Sequence, residues 1–313
     1  MGDMRYRQLG DSGLSVSVVG LGGNNFGRRI DLDATRNVID AALDEGITLF
    51  DTSDSYGDSE VFIGECLQGR RDDVVLATKF GSDLGGRIGS DWGARNSRRY
   101  IRRAVESSLE RLRTDWIDLY QLHFPDGKTP MEETLAALHE LVTEGKVRYV
   151  GSSNLNAWQI ADADWIARTN GFPRFISAQN HYSLLERGVE KSVVPACEHF
   201  GIGLLPYFPL ANGLLTGKYR RGEPAPEGTR LAALPDRLKP ESFDAIEALE
   251  KFAAERGRSL LDVAIGGLAA QPTVGSVIAG ATKPEQVRAN AAAGQWVPTP
   301  EDIWALALVL SSR

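Results

Sequence analysis

The 313 residues are 42% hydrophobic and 25% charged. That length suits one domain over 1–313, a barrel of roughly 250 residues with insertions, and the mix excludes wholesale disorder. A net charge of −7 argues against a nucleic-acid or membrane surface. The two cysteines, Cys66 and Cys197, lack further Cys or His at ligand spacing, so they read as reduced, half-buried thiols, with no metal expected.

Met1 to Gly10 carry charge but no apolar signal stretch, which makes a cytoplasmic protein the expectation. Arg5–Leu9 and Leu14–Gly20 are strand-like runs joined by Gly10-Asp11-Ser12-Gly13, the composition of a hairpin turn. A helix follows, capped by Asp31 or Asp33, with Thr35, Val38, Ile39, Ala42 and Leu43 on one face and Gly46 at its end. Next come a strand at Thr48–Asp51, a short helix around Ser59–Leu67 and a strand at Val74–Lys79. A helix from about Ser97 then buries Ile101, Val105, Ser108 and Leu112.

After a strand at Ile117–Leu122, Thr129-Pro130-Met131-Glu132 reads as a capping box with Pro at the first helical position. Its helix turns Leu135, Leu138 and Leu141 or Val142 inward and stops at Gly145. Val147–Gly151, Ser177–Gln179, Gly203–Pro206 and Val274–Ile278 read as four more strands. Eight β/α units with strands apolar on both faces call for a covered parallel sheet, either doubly wound or closed into a barrel. Ala211–Pro240, after the seventh strand, is too long for an ordinary connection and reads as a functional loop. Trp304–Leu310 is too short to span a bilayer.

Two segments bear on nucleotide binding. In Gly20-Leu21-Gly22-Gly23-Asn24-Asn25 the third glycine of a dinucleotide fingerprint falls at Asn25 and no helix opens there, so a tight turn at a barrel rim is the better reading. Ile278-Ala279-Gly280-Ala281-Thr282-Lys283-Pro284 ends a strand and opens a helix. It suits either an anion or an ordinary turn.

The carboxyl ends of the strands carry Asp51, Lys79, His123, Ser153 with Asn154, and Gln179, and Tyr56 follows Asp51 in the loop. Singly, these are a cap, its ion-pair partner, a core histidine and a rim aromatic. Together, at one end of one barrel, they suit carbonyl chemistry. A carbonyl oxygen gaining charge needs a proton donor and a second hydrogen-bond donor, for which Tyr56 and His123 are suited. A tyrosine is a poor acid near neutrality unless a cation assists, and Lys79, held charged by Asp51, would be that cation.

The tetrad Asp51/Tyr56/Lys79/His123 resembles that of the aldo-keto reductases. So do the strings DTSDSYGDSE (51–60), ATKFG (77–81), DWIDLYQLH (115–123) and GKVRYVGSSN (145–154). QNHYSLLER (179–187), PLANGLLTGKY (209–219) and GATKPEQVRAN (280–290) extend the similarity over nearly the whole chain. The resemblance implies an α/β fold, a (β/α)8 TIM barrel with an N-terminal β-hairpin, binding NADP(H) without metal and reducing aldehydes or ketones. Tyr56 would protonate the carbonyl oxygen, Lys79 and Asp51 would tune it, and His123 would orient the substrate. Ser153, Asn154 and Gln179 would hold the carboxamide and Tyr207 would stack on the nicotinamide. Pro209, Leu210, Gly213 and Lys218 would line the pyrophosphate, with Arg230 folding over it. Gly280, Thr282, Gln286 and Asn290 would meet the 2′-phosphate end, and Gly22, Gly23 and Asn24 complete the cofactor set.

There are departures from the pattern. Gly280 and Gln286 stand where many relatives carry Lys and Arg, and Ala289 where a Glu is common, which leaves NADH as an alternative cofactor. Asn24 replaces an aromatic or hydroxyl residue near the ribose. The chain ends soon after its last helix, without the long C-terminal loop of some branches, implying an open pocket. Potassium-channel β subunits share the barrel and the late motifs, so a nucleotide-sensing subunit is the rival reading, although they carry Asn at the position of His123, which weighs against it. A sugar or alcohol dehydrogenase is another. Trp92, Phe124, Tyr207 and Phe208 suit an aromatic substrate mouth, whereas Arg28 or Arg29, Arg87 and Arg95 suit an anionic one.

Overall fold

The computed structural model describes residues 4–234, 238 and 242–311; the remainder of the expected 211–240 loop lies outside them. The chain opens with β1 (Tyr6–Gln8) and β2 (Ser15–Ser17), an antiparallel pair. Ten more β-strand or α-helix elements then alternate closely: β3 (Val19–Gly22), α1 (Leu32–Asp44), β4 (Leu49–Asp51), α2 (Ser59–Cys66), β5 (Val75–Phe80), α3 (Arg98–Leu112), β6 (Ile117–Leu122), α4 (Met131–Thr143), β7 (Val147–Ser153) and α5 (Ala157–Asn170). They are followed by β8 (Ser177–His181), α6 (Val193–Phe200), β9 (Gly203–Tyr207), α7 (Ser242–Ala254), α8 (Leu260–Ala269), β10 (Val277–Gly280), α9 (Pro284–Ala293) and α10 (Pro300–Ser311).

Strands β3 to β10 form one parallel sheet in the order β10-β3-β4-β5-β6-β7-β8-β9. The two ends meet where Leu204 N donates to Thr273 O at 2.7 Å and Gly275 N donates to Leu204 O at 2.8 Å, closing a (β/α)8 TIM barrel. The strand-like run Leu14–Gly20 is in fact two strands, parting at Val18. Ser15–Ser17 stays with the hairpin and Val19–Gly22 enters the barrel. The last strand begins at Val277 rather than Val274, which makes a single bridge to Leu204.

The hairpin plugs the bottom of the barrel. Leu9 is fully buried there with Val16, Leu49, Ala77, Leu119, Leu205 and Ile278. Gly203 and Gly275 make room for it, since a Cβ on either would lie within 2.6 Å of a Leu9 methyl. A second, larger core fills the layer between strands and helices, with both free cysteines buried in it rather than half-exposed. Because strand side chains alternate, residues two further along from Leu49, Ala77 and Leu119 also face the barrel interior, and these are Asp51, Lys79 and Gln121. An apolar floor thus carries a polar ceiling.

Helix starts follow their caps. Asp31 Oδ1 accepts from Ala34 N at 2.9 Å, which selects Asp31 over Asp33, and Ser97 caps α3. The capping box at Thr129 does not form. Pro130 is itself the cap position, and the Thr129 N–H and hydroxyl both donate to the Asp126 carboxylate at 2.8 Å. An ionised acceptor within reach outcompetes a neutral cap.

Removing the plug tests its weight. Leu9→Ala is expected to cost about 2–5 kcal/mol, as for buried leucines generally, read as a lower urea midpoint with an unchanged slope.

Candidate active site

The mouth of the barrel is organised by one ion pair. Lys79 is fully buried, and its ammonium donates to Asp51 Oδ1 at 2.8 Å, Asp51 Oδ2 at 2.7 Å and Thr52 O at 2.8 Å. Asp51 Oδ1 also accepts from the amides of Gln121 at 3.1 Å and Gln179 at 2.9 Å. Lys79 Nζ lies 5.1 Å from the centre of the Tyr56 ring, and that ring stands edge-on to His123 at 5.8 Å. The four residues picked from strand ends are therefore one cluster, reached from β4, β5, β6 and the loop after β4.

Burial sets the protonation states. Loss of water around the Lys79 ammonium would lower its pKa, but Asp51 and Tyr56 raise it above the ordinary lysine value, so it is charged. Burial holds the Tyr56 phenol above its ordinary value, and Lys79 offsets only part of that rise. Lys79 does act in the expected direction, lowering the Tyr56 pKa, but burial outweighs it and Tyr56 is a neutral phenol, a proton donor. Burial and the Lys79 charge push His123 down to about 3, so its ring is neutral. Nδ1 faces the hydroxyls of Ser82 at 2.8 Å and Ser53 at 3.1 Å, which leaves Nε2 for the mouth.

A cavity of about 740 Å³ opens above the cluster, within the usual range for cofactor sites of about 300–1,000 Å³. Asp51, Tyr56 and His123 line one end, while Lys79 lies beneath it. All the sequence-selected cofactor residues line it too: Gly22, Gly23, Asn24, Ser153, Asn154, Gln179, Tyr207, Pro209, Leu210, Gly213, Lys218, Arg230, Gly280, Thr282, Gln286 and Asn290. Asn154 is fixed in a left-handed backbone conformation. Its amide nitrogen donates to His123 O at 3.0 Å and its oxygen accepts from the Tyr207 hydroxyl at 2.9 Å. The Gln179 amide nitrogen is committed to Asp51, so its oxygen is what it can offer a ligand.

A dinucleotide fits this lining on two counts. Away from the tetrad the lining carries Arg29, Lys218, Arg230 and Lys283 against the carboxylate of Glu227, a cationic excess in a chain of net charge −7. The walls there are also stripped of side chains: a Cβ on Gly280 would come within 3.2 Å of Asn25, and one on Gly22 within 3.2 Å of Ile278. Among the described residues there is no group of three or more His, Cys, Asp or Glu placed to hold a metal.

Sequence reasoning brought Arg230 over this cavity but missed what clasps it there. Arg230 donates to Asn25 Oδ1 at 3.0 Å, Asn25 donates to Ala281 O at 3.2 Å, and Arg29 donates to Gly228 O at 3.2 Å. These contacts join the turn after β3 to the loop after β9, of which the sequence reading gave only the Arg230 side. The aromatic mouth is partly formed. Phe124, Tyr207 and Phe208 line the cavity, whereas Trp92 is exposed outside it under Arg99. Arg95 is occupied by Asp83 and Asp91.

Comparison with known proteins adds the family context. A sequence model described as the Aldo/keto reductase family matches residues 18–308. The chain is 38% identical to an uncharacterized oxidoreductase, YrpG, of Bacillus subtilis, over 91% of this chain and 89% of that one. It is 35% identical to a probable voltage-gated potassium channel subunit beta of Oryza sativa, covering 99% and 98% of the two chains. It is also 34% identical to the L-glyceraldehyde 3-phosphate reductase of Escherichia coli K12, covering 92% and 87%.

Cutting the ion pair on one side tests its role in the fold. Lys79→Met strands a buried carboxylate and is expected to lose about 3–5 kcal/mol in urea denaturation, with much of that recovered on adding Asp51→Asn.

Proposed function

The chain belongs to the aldo/keto reductase family, and from that premise we propose that it reduces a small aldehyde or ketone with NADPH, Tyr56 acting as the acid. The observation that carries this reading is the convergence of a neutral phenol and a neutral imidazole on one cavity, above a fully hydrogen-bonded Lys79–Asp51 pair. In this reading the whole chain, 1–313, works as one cytoplasmic domain. Among the described residues no helix is long and apolar enough to cross a membrane.

When bound in the cavity, a reduced nicotinamide would supply the hydride. Tyr56 donates its hydroxyl proton to the carbonyl oxygen as charge builds there, and the Lys79 ammonium stabilises the phenolate left behind. His123 donates from Nε2 to the same oxygen and fixes its direction. Ser153, Asn154 and Gln179 would hold the carboxamide end of the cofactor, with Tyr207 stacked on the nicotinamide. Lys218 and Arg230 would meet the pyrophosphate, and Gly280, Thr282, Gln286 and Asn290 the adenosine end. Lys283, beside Thr282 in the lining, offers the 2′-phosphate a cation that Gln286 does not, which favours NADPH over NADH. Similarity to a channel subunit over almost the whole chain favours nucleotide sensing as a second reading, and turnover separates the two.

Fluorescence titration with NADPH and NADH should show saturable binding, tighter for NADPH, and 4-nitrobenzaldehyde should then consume the reduced cofactor. Binding without turnover over a panel of carbonyls would move the assignment to sensing. Tyr56→Phe should lower kcat by about 10²–10⁴-fold while leaving the NADPH Kd nearly unchanged; retained turnover would place the proton donor elsewhere.

A further inference from the structure

Beside His123, outside the cavity lining, lies a buried polar chain for which the proposed reaction has no use. Asp54 is 2% exposed, its Oδ1 accepts from the Ser53 hydroxyl at 3.1 Å, and its buried Oδ2 has no hydrogen-bond partner among the described residues. The same Ser53 oxygen lies 3.1 Å from His123 Nδ1 and 3.0 Å from the Ser55 hydroxyl, and it accepts from Ser55 N at 3.2 Å. Ser53 has one hydroxyl proton, and both a carboxyl oxygen and an imidazole nitrogen are within reach of it.

We propose that Asp54 is a positioning residue for carbonyl reduction, selecting through Ser53 the tautomer of His123 that faces the substrate. When Asp54 is ionised, it takes the Ser53 proton as a charge-assisted bond, and Ser53 can only accept from the imidazole. Nδ1–H is then favoured, and Nε2 turns a lone pair to the carbonyl oxygen. When Asp54 is protonated, the carboxylic acid donates to Ser53, whose own proton turns to Nδ1. Together with Ser82 this makes Nδ1 a pure acceptor, and the ring proton resides on Nε2, where the substrate needs it.

The surroundings leave this choice open near neutrality. Asp54 is faced by Glu60 of α2, Tyr100 and Arg111 of α3, Tyr120 of β6 and Arg87 of the loop after β5. Glu60 and Arg111 are tied to each other at 2.6 Å, and Glu60 also accepts from Thr78 at 2.6 Å, so Arg111 offsets part of the Glu60 charge. Arg87 donates to the backbone oxygen of Asp54, not to its carboxylate. Burial, then Glu60, push the carboxyl up to about 7. The donor tautomer therefore prevails below that pH and is lost above it.

The role of His123 as the carbonyl donor rests on the proposed reductase reading, so the test has one arm that needs no turnover. In histidine side-chain ¹⁵N spectra of the full chain, assigned by the loss of one signal in His123→Asn, the wild type should move from the Nε2–H to the Nδ1–H form as pH rises through about 7. Asp54→Asn, whose amide donates to Ser53 at every pH, should hold the Nε2–H form throughout. With 4-nitrobenzaldehyde and NADPH, wild-type kcat should fall about five-fold or more across that range, and the variant should be flat with an unchanged NADPH Kd. Ser53→Ala, which severs the link while leaving the Asp54 carboxyl in place, should also remove the pH step, and adding Asp54→Asn to it should change nothing further. An unmoved tautomer in wild type, or a pH step that survives Ser53→Ala, would overturn the proposal. Absent turnover with the tautomer switch intact would fault the reductase reading alone.

Discussion

A charged lysine with no exposed surface is the constraint around which the mouth of this barrel is arranged. Desolvating an ammonium costs several kcal/mol unless its charge and all its protons are met. Here every Lys79 proton has a partner, two on Asp51 and one on Thr52 O, and Asp51 is met in turn by Gln121 and Gln179. That network needs groups from β4, β5, β6 and β8 in register, which only a closed barrel brings to one level. The same cation then acts on its neighbours, opposing part of the rise at Tyr56 and helping to hold His123 neutral.

The polar ceiling requires an apolar floor. Below Asp51, Lys79 and Gln121 sit Leu49, Ala77 and Leu119, and beneath them the hairpin inserts Leu9 through a gap left by Gly203 and Gly275. Water entering from below would weaken every electrostatic contact above. A plug far from the chemistry thus conditions the dielectric in which Lys79 and Tyr56 meet.

Much of this was legible because it is periodic or local. Asp51, Lys79 and Gln179 stand out because apolar strands should not end in such groups, and Asp31 and Ser97 cap helices within three residues of themselves. What escaped was set by tertiary proximity. Thr129 lost its capping role to Asp126, a neighbour whose reach depends on the loop's path. The run Leu14–Gly20 has one composition but two partners, Tyr6–Gln8 and β10, and sequence patterning does not report where a strand changes partner. Arg230 and Asn25 are 205 positions apart, and no short-range rule joins them. At Tyr56 the effect of Lys79 has the expected sign, but the water removed from the phenol, which a sequence does not report, raises the net value.

That sign constrains how the site can respond to pH. His123 is pushed down to about 3 and Tyr56 lies above its ordinary value, so neither group facing the cavity changes charge across the neutral range. Lys79 is raised too, and its charge is fixed throughout. A reductase built only of these groups would be indifferent to pH wherever cells operate. The carboxyl of Asp54, held up to about 7 by burial, is the group near the tetrad that does titrate there, and it touches the tetrad through one hydroxyl. Sensitivity near neutrality then has to arrive as a rearranged hydrogen bond rather than as a change of charge at the reacting atoms, so under the proposed reaction it would alter the rate while leaving nucleotide affinity undisturbed.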